Sequence, residues 1–271
     1  IYRQYLGGKG LASWLLYQNN PPGVDPLAPE NCLIVKVLRS PHAFAKIINI
    51  QTEAAIQMPG VSCVLTHHDV PDKRFTMAGQ SFPEPSPYDR RILDKWVRYV
   101  GDPVAIVAAG TQKQADQALK AIKVDYELLE PVLDPDRAME HASVIHPEKN
   151  SHVNFDIGNE VKKNVCSSGQ FSHGDVDAAF GAADIIVDEI YQTCANNQAM
   201  METFRTFSYM DHTGRLVLTA STQVPFHVRA IAARALDIPK QKIRVIKPRI
   251  GAGFGAKQTL VAELFPAIVT L

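Results

Sequence analysis

The stretch Arg249-Ile250-Gly251-Ala252-Gly253-Phe254-Gly255-Ala256-Lys257-Gln258 constrains this 271-residue chain more than any other. Three glycines at every second position leave one edge of the backbone nearly bare of Cβ atoms. Such a segment turns sharply and lets an anionic ligand lie against exposed N–H groups. The run before it, Ile243 to Ile246, is apolar and β-branched. The run after it (Leu260, Val261, Leu264, Phe265, Ile268) has helical spacing. Strand, glycine loop and helix N-terminus in that order predict an anion site. Two familiar phosphate loops do not fit. A dinucleotide fingerprint needs G-x-G-x-x-G, and this chain has G-x-G-x-G; a nucleotide-phosphate loop needs Gly-Lys followed by Ser or Thr, and here Ala256 precedes Lys257 and Gln258 follows. On the glycines alone, a turn that only joins strand to helix reads equally well.

The rest of the chain alternates β-rich runs with short helical patterns. Leu33 to Leu38 and Val61 to Leu65 read as strands, and residues 71–92, rich in Pro, Gly and polar groups, as a long surface loop. Trp96 to Ala109 reads as two strands broken by the turn tripeptide Gly101-Asp102-Pro103. Thr111 is an N-cap for a helix with Ala115, Ala118, Leu119 and Ile122 on one face, and Lys123 to Leu129 follows as a strand. Residues 138–173 read as a polar connector. A second unit opens with Asp175 capping a helix through Ala183. Apolar runs follow at Ile185 to Ile190, Phe204 to Met210 and Leu216 to Ala220, the last two joined by a hairpin turn at His212-Thr213-Gly214. Pro225 suits the first turn of a helix running to Leu236.

Charge and cysteine content exclude several functions. Lys and Arg total 28, as do Asp and Glu, and no basic block stands out, so nucleic-acid binding has no support. No apolar run approaches the roughly 18 residues of a membrane span, and no signal-peptide pattern opens the chain. Cys32, Cys63, Cys166 and Cys194 are far apart and form no C-x-x-C. That argues against an iron–sulfur cluster or structural zinc on this chain. They read as buried free thiols in a reducing cytoplasm.

Five blocks taken together carry a resemblance. With the glycine loop stand Ser221-Thr222-Gln223-Val224-Pro225-Phe226-His227-Val228-Arg229, Gln198-Ala199-Met200-Met201-Glu202-Thr203, Leu38-Arg39-Ser40-Pro41-His42-Ala43 and Val100-Gly101-Asp102-Pro103-Val104-Ala105. In this order they resemble the molybdenum-cofactor subunit of the xanthine dehydrogenase and aldehyde oxidase family, from about residue 33 onward. The resemblance implies an α+β chain, an α/β-hammerhead domain (33–137) followed, after the connector 138–173, by the start of a molybdopterin-binding domain (174–271). It implies a molybdenum-molybdopterin cofactor, as a pterin dinucleotide, with no iron–sulfur cluster or FAD on this chain. It also implies partner subunits or domains that carry those groups, and hydroxylation of an N-heterocycle or an aldehyde with water as the oxygen source.

The same resemblance assigns residues. Gln223 matches the glutamine whose side-chain amide approaches an oxo ligand of molybdenum. Gly253, Phe254 and Gly255 match loop positions beside the metal, with Gln223 and Phe254 near molybdenum but no side chain ligating it. Gln258 sits where xanthine-specific animal members carry a substrate-orienting Glu. Thr203 departs from the usual Met-Glu-Pro, which leaves Glu202 a supporting role. The catalytic general base, a glutamate in a Gly-rich context, matches nothing here and is expected beyond residue 271.

Residues 1–32 stand apart. Tyr2 to Leu11 and Pro22 to Asn31 resemble the N-terminus of tungsten-dependent aldehyde ferredoxin oxidoreductases, as though joined to the rest. Leu11, Trp14, Leu15 and Leu16 predict a short amphipathic helix with no evident core to join. Two further functions stay open: a tungsten-pterin aldehyde oxidoreductase, and a non-catalytic module that docks partner subunits. Other polar candidates read as structural. His67-His68-Asp69 is a surface turn, His42 and His227 pack, Arg39, Arg98 and Arg249 are solvated or touch a phosphate or partner, and Glu202 and Glu263 share no site.

Overall fold

The computed structural model describes residues 3–5 (backbone only), 27–28, 32–78, 81, 84–148, 153–154 and 156–271. In chain order its elements are β1 (Arg3–Tyr5), β2 (Ile34–Arg39), β3 (Ala45–Gln51), α1 (Glu53–Ile56), β4 (Val61–Leu65), β5 (Trp96–Val97), β6 (Pro103–Ala109), α2 (Gln112–Ala121) and β7 (Lys123–Leu128), followed by α3 (Val176–Ala182), β8 (Arg205–Met210), β9 (Leu216–Ala220), α4 (Pro225–Ala235), β10 (Ile243–Ile246) and α5 (Leu264–Thr270).

The first half is built around β6. Its sequence PVAIVAA has almost no polar alternation because β2 pairs along one edge, β4 along the other, and both faces are covered. Helix α2 lies over this sheet on Ala115 and Ala118, and the Thr111 hydroxyl caps it by accepting from Gln114 N. A small antiparallel sheet, β5-β3-β7, stands beside it. The Gly101-Asp102-Pro103 turn sends the chain from one sheet to the other. Gly101 N donates to Ser40 O at 2.8 Å and Ser40 N to Asp102 O at 2.9 Å, while Gly101 takes a φ of 98°. Strand β3 and helix α1 lack a clear period and are not legible from sequence.

The two halves are not separate bodies. One seven-stranded sheet runs β10-β9-β8-β1-β2-β6-β4, with the backbone of β1 pairing parallel to β8 and antiparallel to β2. Residues 3–5, in the segment read as standing apart from the rest, thus bridge its halves. The amphipathic helix expected over Leu11 to Leu16 lies outside the described residues. One apolar core spans both halves, with Val35, Phe75 and Ile92 packed in the same cluster as Leu216, Val228 and Phe265.

The connector is tied down by charge. Arg98, its side chain 9% exposed rather than solvated as expected, bonds Asp94 at 3.0 Å, Ile145 O at 3.1 Å and Glu148 at 2.5 Å, and Arg74 reaches Glu148 at 2.9 Å. Asn164, in the left-handed region at φ 59°, donates to Ala138 O and Ser143 O and accepts from Ile145 N. From the loop after β4, Arg74 O accepts from Arg234 of α4, whose guanidinium stacks 4.1 Å from the Tyr88 ring.

Several expectations fail here. Ile185 to Ile190 forms no strand and is largely exposed, Ile190 at 96%. A strand needs a partner edge for its N–H and C=O groups, and no described strand pairs with it. Cys166 and Cys194 are exposed rather than buried. His67 and His68 form the expected turn, but as neighbours in a turn rather than a strand their rings lie 4.0 Å apart. Among the described residues no His/Cys/Asp/Glu group could hold a metal.

Burial first, then the Arg98 charge, holds His146 neutral and brings its pKa down to about 4, against Asp89 and Glu148. Burial pushes the Glu148 carboxyl up, but its Arg74 hydrogen bond and the two arginine charges outweigh that and bring it down to about 2. Both folded pKa values lie below their unfolded ones. The His146 contribution to stability is therefore complete above pH 6.5 and fades as pH falls toward 4; that of Glu148 is complete above 4.5 and fades toward 2. A His146→Asn variant should lose less melting temperature than the parent between pH 6.5 and 4.5, and parallel pH profiles across that window would contradict this assignment.

Candidate functional site

Strands β9 and β10 run parallel and adjacent, with Thr219 opposite Ile246, and α4 crosses between them. Their carboxyl ends point the same way. The segment leaving β9, Ser221-Thr222-Gln223, therefore meets the glycine loop leaving β10 at one end of the sheet, where open α/β sheets bind ligands. Pro225 at the first turn of α4 ends the first segment, as its fixed φ allows.

The glycine loop is strained and only partly satisfied. Ala252, Phe254 and Gly255 have φ of 69°, 47° and 87°, so two side-chain-bearing residues sit in the left-handed region. Ala256 N donates to Gly253 O and Gln258 N to Gly255 O, while the N–H groups of residues 252–255 donate to no other described residue. Gly253 presses on Gln223, and a Cβ there would overlap the amide. Gln223 N donates to Lys257 O at 2.9 Å, and its Oε1 is buried without a hydrogen-bond partner. A buried amide left open in this way has room for a hydrogen bond to water or to a bound group.

Behind the loop is a charged network. Lys257 and Glu202 are both fully buried, and Lys257 Nζ lies 2.6 Å from Ser221 Oγ and 3.3 Å from Glu202 Oε2. Ser221 Oγ donates to Glu202 Oε2 at 2.8 Å, and Gly251 N donates to the same oxygen at 2.8 Å. Burial pushes the Lys257 pKa down, opposed by Glu202. Glu202 thus bonds Ser221, Lys257 and the start of the loop. Glu263 makes its hydrogen bonds elsewhere, to the N–H groups of Val261 and Ala262. Sequence reading missed Lys257 and Ser221. A lysine in a glycine-rich loop normally reads as a solvated or phosphate-binding group.

The expected helix N-terminal anion site is also corrected. Helix α5 begins at Leu264, and the N–H groups of Val261 and Ala262 are taken by the Glu263 carboxylate at 2.7 and 2.8 Å. Burial pushes that carboxyl's pKa up, and these N–H bonds oppose the shift. The loop's N–H groups at 252–255, by contrast, have no such partner among the described residues. Beside it lies a cleft of about 640 Å³ whose walls include Met77, Gln198, Met200, Thr203, Phe204 and Gly255. Gly253 and Gln223 are thus brought together and Gly255 borders the cleft, while Phe254 is 70% exposed and Gln258 is exposed and outside the cleft wall. His42 packs edge-on against Tyr126, and Arg39 donates to Gly101 O at 2.7 Å, both structural as to fold.

Two family models match this chain: the aldehyde oxidase and xanthine dehydrogenase a/b hammerhead domain over residues 24–130, and the molybdopterin cofactor-binding domain over residues 157–271. A probable hypoxanthine oxidase of Escherichia coli is 41% identical over 92% of the chain and 28% of its own length. A nicotinate dehydrogenase large molybdopterin subunit of Eubacterium barkeri is 34% identical over 88% of the chain and 52% of its own length. The chain thus spans between about a quarter and a half of these two relatives. An aldehyde oxidoreductase structure from Desulfovibrio gigas superposes with a TM-score of 0.75 at 24% identity, over 92% of this chain and 27% of that one. None of these supports the tungsten-enzyme resemblance of residues 1–31, and the hammerhead match begins inside that segment. With both domain models matched in series and a common fold beneath them, the chain belongs to the xanthine dehydrogenase and aldehyde oxidase family and carries its hammerhead and molybdopterin-binding domains.

Proposed function

We propose that this chain is the molybdenum-cofactor-binding part of a xanthine dehydrogenase-like oxidoreductase that hydroxylates an electron-poor carbon, with water as the oxygen source. The observation that carries the reading is the Gln223 amide, held against Gly253 with Oε1 buried and unpartnered beside a loop of open N–H groups. These residues fit the group: an amide offers either an acceptor or, turned over, a donor, and the bare backbone suits an anionic pterin. Gln223, Gly253, Phe254 and Gly255 would hold it, as the pterin dinucleotide form. When bound, the cofactor supplies the two-electron redox chemistry; Gln223 and the loop fix its orientation through preset dipoles.

The probable hypoxanthine oxidase relative favours a purine over an aldehyde as substrate. Gln258 would orient it by hydrogen bonding rather than by charge. The cleft wall holds no carboxylate among the described residues, and we leave the general base to the glutamate that the family resemblance implies. Electrons would leave through iron–sulfur and flavin groups on partner subunits or domains, in keeping with a relative described as a large subunit. The free thiols suit a reducing cytoplasm.

The native gene product, assayed on hypoxanthine in ¹⁸O-water, should contain molybdenum and place the label in the product. Molybdenum-free protein, or product without label, would overturn the reading. A Gly253→Ala substitution should displace the Gln223 amide and lower kcat/KM on the order of 100-fold, as misplacement near reacting groups does, with little change in melting temperature. Undiminished turnover in that variant would remove Gln223 from the site.

A further inference from the structure

We propose that the buried Lys257–Ser221–Glu202 network is a positioning device that sets the Gln223 amide against the glycine loop. The proposal rests on the reading that these two elements face the cofactor. Among the described residues, the network ties together the three segments of the site. Glu202 exchanges main-chain and side-chain bonds with Gly251: its N–H donates to Gly251 O at 3.1 Å and its Oε2 accepts from Gly251 N at 2.8 Å. That fixes the start of the loop. Lys257 fixes its end, because its carbonyl accepts both the Gln223 N–H at 2.9 Å and the Thr222 hydroxyl at 3.3 Å. Its ammonium meanwhile reaches back to Ser221, two residues before Gln223, at 2.6 Å.

A lysine could hold the loop by its backbone alone. Burying the ammonium as well is costly, and a buried pair is weak evidence for stability as such. Its justification is geometric. Between the two anchored ends, Ala252, Phe254 and Gly255 stay in the left-handed region with unused N–H groups, a conformation that relaxes unless the flanks are fixed. Gly253 must also stay in contact with the Gln223 side chain. The network fixes all three at once.

Two variants of the native gene product test this. Ser221→Ala removes the central hydroxyl and leaves the ion pair. Glu202→Gln combined with Lys257→Met removes both charges of the pair together, so that neither is left facing an empty partner, and a melting curve checks that the variant folds. In crystal structures of the metal-free protein, the double variant should show the Gln223 amide displaced from Gly253, and Ser221→Ala a smaller shift. In the loaded protein, the Mo(V) electron paramagnetic resonance spectrum of the double variant should change and kcat fall at least 10-fold with KM within about 3-fold. A double variant with Gln223 unmoved, an unchanged spectrum and native kcat would overturn the positioning role while leaving the cofactor reading intact. If Gln223 moves but the parent protein binds no molybdenum, the positioning role stands and the cofactor reading falls.

Discussion

A lysine ammonium sealed from solvent is the constraint around which the site is arranged. Taking such a charge out of water costs several kcal/mol even after relaxation, and only close, well-directed partners offset it. Lys257 finds them in Ser221 and Glu202, which lie on two other segments of the chain. Wherever Lys257 sits, those segments must sit too. The Gly251 N–H and the Gln223 N–H are then bound to the same cluster or to the Lys257 carbonyl. A loop that would otherwise sample many conformations is held in one that leaves its N–H groups open.

The sheet supplies the frame for this cluster. Parallel pairing of β9 with β10 brings two connecting segments out at the same end, and the fully buried β9 fixes their height above the core. The hammerhead half contributes more than a neighbour's surface. Met77 from its long loop helps wall the cleft, and Phe75 and Ile92 join the same core as α4 and α5. The cleft is therefore bounded by both halves of the chain, as ligand sites between domains commonly are.

Much of this was legible in the sequence. Caps at Thr111 and Asp175, the Pro225 helix start, the His212-Thr213-Gly214 hairpin and the β10-to-loop order follow from local chemistry, and all appear in the structure. The α+β fold with hammerhead and molybdopterin-binding domains was legible through motif order, and the family matches agree with it. Three things were not. Strand β3 pairs through a register shift near Asn49, which breaks the alternation that marks a strand. Ile185 to Ile190 has strand composition without a partner edge, and composition cannot reveal that. Lys257 carries the residue type of a surface or phosphate group, and only tertiary packing shows it buried against Glu202 and Ser221. The glycine pattern also promised a helix directly after the loop, but α5 begins only at Leu264, and Glu263 takes the N–H groups of Val261 and Ala262 just before it.

The central claim is that the loop keeps its N–H groups open for a ligand while its flanks are locked. Hydrogen–deuterium exchange on the native gene product, with and without its cofactor, tests this most directly. Without cofactor, amides 252–255 should exchange rapidly, while Gly251, bonded to the buried Glu202, stays protected. On loading, protection should spread to 252–255 with Gly251 unchanged. Uniformly slow exchange in both states, or loop amides that remain fast when the cofactor is bound, would contradict it.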